Sequence, residues 1–204
     1  MSNEAAAKYC QLMAEIKRRT KVIDHYHHEG GHALYKATTV ETIYLQFRKI
    51  IELIVFGTLV TNKNIYTKQY KNFATTWNAK YLLKDIERLN PDFYPIPINQ
   101  KETDDPKVFR NLEKIEGGYL KKKDLLKLYE MCGKIMHSEN PFGAKIDYDQ
   151  YFDQAKEYRN KIVCLLNAHE IRFYKSKGFY LIQMGNNESS PTYVPFEPVE
   201  SENN

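Results

Sequence analysis

The chain has 204 residues, room for one domain of ordinary size, and its 42% hydrophobic and 27% charged content is that of a globular protein rather than a disordered one. A formal charge of +4 accompanies 16 Tyr and 10 Phe, while 9 Gly and 8 Pro are too few for a turn-rich all-β fold. Three cysteines, Cys10, Cys132 and Cys164, are odd in number and widely spaced, which excludes a disulfide framework and points to a reducing, cytoplasmic setting.

The first residues lack the basic start and apolar run of a signal peptide. Residues 5–26 read as a first helix, with Tyr9, Leu12, Ile16 and Ile23 on one face and Lys17, Arg18, Arg19 and Lys21 around it. A histidine-rich stretch follows, and its glycine pair predicts a helix end. Thr38 and Glu41 have the spacing of a capping box, so residues 40–60 form a second helix, apolar on most of its circumference and expected in the middle of a bundle. The apolar stretch 50–60 is about half a membrane span and is interrupted by Glu52, so no membrane partner is expected.

Asn62 to Asn64 predicts a turn. Tyr66, Tyr70, Phe73, Trp77, Leu82, Ile86 and Leu89 then mark a third helix, stopped by Asn90-Pro91. Residues 93–98 are extended, and residues 100–118 are polar with little pattern. Residues 120–137 and 148–167 are the fourth and fifth helices, separated by an Asn-Pro-Phe-Gly loop. Residues 171–174 and 179–184 read as two short strands. All 30 basic residues precede position 186 and four of the 26 acidic ones follow it, giving a body of +8 and a tail of −4. The expected fold is mostly α: a single helical domain over residues 1–185, a five-helix bundle with a small C-terminal β-hairpin, and a flexible acidic tail over residues 186–204.

Three groups of residues invite chemistry. His28-Glu29-Gly30-Gly31-His32 has the zincin spacing, in which two histidines one helical turn apart, here His28 and His32, hold zinc and the glutamate activates water. This stretch resembles the metal-binding helix of membrane AAA proteases, which implies a zinc metallohydrolase. The adjacent glycines and the absence of a third ligand motif favour a solvated loop, and no cofactor is expected. In the second group, Arg48 and Glu52 stand one turn apart on a helix too apolar to be exposed, and His137 closes the fourth helix. Buried charges need partners, so these three are the candidate catalytic or binding cluster. The third group is electrostatic: Lys17, Arg18 and Arg19, with Lys121, Lys122 and Lys123, are candidate nucleic-acid contacts.

The segment Leu45-Gln-x-Arg48-Lys-x-x-Glu52-Leu-Ile, followed by Leu128-Tyr-x-x-Cys132-Gly-x-x-x-His137-x-x-Asn-Pro, resembles a group of uncharacterised bacterial proteins of similar length. More distantly, a helical bundle with a histidine ending a helix is similar to the HEPN domains of bacterial toxin and defence systems. That likeness implies a metal-independent ribonuclease in which an arginine and a histidine, separated by four to six residues, act at a dimer interface. Arg19 and His25 have that spacing but lie in the first helix; Arg159 and His169 are farther apart. The sequence therefore predicts an interaction or regulatory module of a defence- or toxin-type system, with a protein partner or a second copy and RNA as a further candidate. The alternatives are the ribonuclease and the zinc hydrolase.

Overall fold

The computed structural model describes residues 3–69, 79–106, 108, 110–173 and 176–198. Helix α1 (Asn3–His28) buries Ala6, Tyr9, Met13, Ile16 and Ile23, a spacing of three, four and seven that makes one apolar stripe. Helix α2 (Lys36–Gln69) buries Val40, Ile43, Tyr44, Phe47, Ile50, Ile51 and Ile54 and touches α1, α3 (Ala79–Leu89), α4 (Lys122–Ile135) and α5 (Tyr148–Leu166). It is the central post, as its nearly all-round apolar surface requires. No described helix is long and apolar enough to cross a membrane.

The expectation of a mostly helical bundle with a small hairpin is overturned by a five-stranded antiparallel sheet. Its strands are β1 (Ile96–Lys101), β2 (Asn111–Lys114), β3 (Ala168–Ile171), β4 (Phe179–Gln183) and β5 (Thr192–Phe196), in the order β2-β1-β3-β4-β5. The fold is mixed α and β. The missing piece is the pairing of β1 with β3, Ile96 opposite Glu170 and Pro97 opposite His169. The chain makes the β1–β2 hairpin, then α4 and α5, before β3 returns, so no local pattern announces that contact.

The tail is corrected with it. Residues 192–196 pair with β4, Val194 opposite Leu181 and Tyr193 opposite Ile182. Phe196 stacks on Phe179 at 4.9 Å between ring centroids, and Tyr193 meets Tyr180 edge-on at 5.8 Å. Cross-strand aromatic pairs of this kind stabilise an edge strand by up to about 1 kcal/mol each. Pro195 is tolerated because β5 is an edge. Low hydrophobicity concealed a strand held by two rings.

The expected turn at 62–64 is instead helix. Asn62 is buried; its amide donates to the Thr58 carbonyl and Thr61 Oγ1, and its Oδ1 accepts from Asn90 at 3.0 Å. An asparagine so satisfied has no reason to break the helix. The predicted third helix is divided: Tyr66 belongs to α2, Tyr70, Phe73 and Trp77 lie outside the described residues, and α3 starts at Ala79. Of its remaining positions, Leu82 and Ile86 are buried.

Helices α1 and α2 approach closely where Gly57 faces Tyr9. A Cβ at position 57 would lie 2.7 Å from the Tyr9 ring, itself fully enclosed. Gly57→Ala is therefore expected to destabilise the protein by about 1–3 kcal/mol through overpacking, despite alanine's better helix propensity. Urea denaturation of the two proteins measures it.

Candidate functional site

Helix α2 directs Arg48 and Glu52 toward α4. Arg48 Nε lies 3.3 Å from Glu52 Oε1, and Arg48 NH2 donates to the Tyr129 hydroxyl at 2.9 Å with the guanidinium over the Tyr129 ring. Lys49 reaches the second Glu52 oxygen at 3.2 Å. Glu52 is only 12% exposed and Arg48 27%, so the pair is partly withdrawn from water and satisfied by groups around it. Cys132, one turn beyond Tyr129 and within the field of both charges, has its thiol pushed up to about 12 by burial. It is not a nucleophile at neutral pH.

His137 is placed differently. Helix α4 ends at Ile135, and His137 is exposed in the turn beyond it, two turns of chain past Tyr129. Among the described residues its imidazole has no hydrogen-bond partner. The structure thus joins Arg48 to Glu52 and adds Tyr129, which the sequence reading passed over; His137 makes no bond to them.

In the histidine-rich stretch α1 stops at His28, and Gly30 adopts a left-handed φ of +70° that ends the helix. The amides of Glu29 and Gly31 both turn back to the His25 carbonyl, and Glu29 Oε2 bonds His25 Nδ1 at 2.9 Å. His28 and His32 are exposed on either side of that break rather than one turn apart on a continuous helix. Among the described residues no three His, Cys, Asp or Glu side chains are grouped to hold a metal.

The basic residues of α1 are largely engaged with the protein itself. Lys17 Nζ donates to the carbonyls of Met184 at 2.9 Å, Ser189 at 2.7 Å and Asn186, and Lys21 donates to Asn187 at 2.9 Å. Arg18 pairs with Glu15, and Arg19 with Glu15 and Gln46. On α4, Lys122 pairs with Glu87 and Lys121 lies 5.9 Å from the Tyr119 ring centroid, while Lys123 is exposed. Of the spaced Arg–His pairs, Arg159 is held by both oxygens of Asp24 at 2.7 and 2.8 Å.

His169, the partner considered for Arg159, lies on β3 rather than on a helix and is fully buried. Its Nδ1 is 2.8 Å from the Leu166 carbonyl, which only accepts, so the proton sits there; Nε2 then accepts from the Tyr9 hydroxyl at 2.9 Å. Burial lowers its pKa to about 4. The arrangement is a structural clamp between α1 and the sheet. No sequence signal marks it, since its partner is 160 positions away.

No protein-family model matches the chain, and no curated protein or solved structure is significantly similar to it. The site is therefore read on its own chemistry, which is that of satisfied ion pairs and neutral buried groups.

Two measurements check this reading. The unfolded state binds a proton at His169 near pH 6.5 and the folded state only near 4, so stability is full above pH 6.5 and falls as the pH drops toward 4, by on the order of 3 kcal/mol. Denaturation at several pH values, with imidazole nitrogen NMR showing the Nδ1–H form at pH 5.5, reads both parts. A double-mutant cycle of Arg48→Ala and Glu52→Ala is expected to return a coupling of about 1–2 kcal/mol, below the value for a fully buried pair because Lys49 still serves the orphaned carboxylate.

Proposed function

We propose that the chain is a non-catalytic interaction and regulatory module that works as a homodimer, joined through the end of the molecule where the α1–α2 and α4–α5 loops lie side by side. The observation behind it is apolar exposure at that end: Leu34 is 90% exposed, Tyr35 62% and Phe142 95%. The loops are brought together by Lys36, which pairs with Asp149 at 2.9 Å and sits 4.0 Å over the Phe152 ring, and by His27, whose ring lies tilted 4.3 Å from the same ring.

Leu34 also holds a left-handed φ of +70°. A branched apolar residue in that region costs on the order of 1–3 kcal/mol, and here the strain turns the side chain toward water. Strain and apolar exposure at one residue break two local rules at once, which is the mark of a surface kept for binding. A second copy is the occupant that fits the rim. Lys36, Asp149 and Glu29 place both signs beside the apolar residues, and a two-fold interface needs that mixture because each patch meets itself.

Binding is favoured over cleavage because the internal charges are already matched. Arg48 is committed to Glu52 and Tyr129, and Arg159 to Asp24.

Sedimentation equilibrium is expected to return twice the chain mass for the wild type. Leu34→Ser combined with Phe142→Ser is expected to weaken dimerisation at least tenfold with unchanged circular dichroism, since both side chains are solvent-facing in one copy. A wild type that stays at the chain mass at every concentration overturns the reading. So does chelator-insensitive RNA cleavage that disappears in His137→Ala.

A further inference from the structure

Residues of α1, α5 and the β4–β5 loop enclose a half-open cleft of about 140 Å³. Its walls come from Lys17, Lys21 and Asp24 on one helix and Arg159 on the other, with Asn167 at the end of α5 and the loop backbone from Met184 to Asn187 as its roof. Three cations and one carboxylate leave the cleft with an excess of two positive charges.

The charges are not equally available. Arg159 and Asp24 neutralise one another through two hydrogen bonds. The Lys17 ammonium has given all three of its protons to loop carbonyls, so it contributes field rather than donors. Lys21 has spent one proton, on Asn187, and keeps two. Arg159 NH1 has a single long contact, 3.3 Å to Asn160. Among the described residues the Asn167 side-chain amide has no hydrogen-bond partner. Lys21, Arg159 and Asn167, each with unspent donors, thus line one small cleft over an apolar floor of Ile16, Ile162 and Leu166.

From this convergence we infer that the cleft is a binding site for a phosphate dianion, either free or carried as the terminal group of a small metabolite. A dianion matches the excess charge, and its oxygens accept from an ammonium, a guanidinium and an amide at once, the charge-assisted geometry in which such bonds are strongest. The present balance is itself strained: burial lowers the Lys17 pKa, and the neighbouring Lys21 charge lowers it further. An anion seated between the helices offsets both effects. Because Lys17 and Lys21 also hold the loop, occupancy fixes the roof of the cleft and the adjoining edge strand β5. The cleft shares no lining residue with the loops proposed to form the dimer, and it stands without them.

The test uses the full chain and inorganic phosphate at constant ionic strength, balanced with chloride. Titration is expected to raise the melting temperature saturably, because a ligand bound only by the folded state stabilises it by mass action. Amide resonances are expected to move at residues 17–24, 159–167 and 184–187 and to stay fixed at 121–123. Lys21→Gln, on an exposed helix face, and Asn167→Ala are each expected to weaken phosphate binding at least tenfold, while Lys123→Gln leaves it unchanged. Adenosine monophosphate run in parallel separates the two sources: tighter binding than phosphate assigns a carried phosphoryl group, equal or weaker binding the free ion. A melting temperature that ignores phosphate, or resonance changes centred on 121–123, overturns the assignment. An effect retained undiminished in Lys21→Gln and Asn167→Ala also overturns it.

Discussion

The hydrogen bond between Tyr9 and His169 joins every layer of this molecule. Tyr9 belongs to α1 and packs on Gly57 of α2; His169 belongs to β3 and is anchored by its other nitrogen to the last turn of α5. Four elements meet at one neutral imidazole. A buried ring with both nitrogens satisfied is tolerated, whereas the same ring with either partner removed would strand a polar atom in the core. The pairing of β3 with β1 and β4, and so the whole sheet, is held in register against the helices at this point.

The same economy governs the charged residues. Long cations are turned inward onto acceptors that the fold leaves unpaired: Lys17 and Lys21 onto the carbonyls of the β4–β5 loop, Arg159 onto Asp24, Arg48 onto Glu52 and Tyr129. A body of net positive charge therefore presents less free positive surface than its composition suggests. Among the described residues, positive charge left over from these pairings includes Lys21 in the cleft under one loop and the exposed Lys123. Composition alone spreads charge evenly over a surface; hydrogen bonding decides where it is left over.

The apolar exposures follow the opposite logic. Residues of α1 and α2 that face the core are enclosed almost completely, so the uncovered Leu34 and Phe142 are not the overflow of a poorly packed interior. They sit in loops, where no packing demand places them. The proposed binding surface and the proposed anion cleft thus arise from different remainders of the fold, one apolar and one cationic.

Periodicity by itself determined α1, the greater part of α2, α4 and α5, because amphipathic spacing is a local property and these helices bury one face. The glycine pair after His28 also told its story: Gly30 ends α1 there. Local composition misled where a residue's role is set by a distant partner. Asn62 looks like a turn until Asn90 donates to it in a buried network, and residues 192–196 look like a tail until Phe179 and Tyr180 pack against their rings. In the candidate cluster, desolvation made the Arg48–Glu52 pair legible from the apolar helix around it, whereas Tyr129 and the exposed position of His137 depend on how α4 crosses α2 and where it stops. Only the tertiary structure decided the five-stranded sheet, the Tyr9–His169 clamp and the Lys17–Lys21–Arg159 cleft. Each is made of contacts between residues far apart in the chain, and a linear pattern carries no record of a contact that loop closure alone brings about.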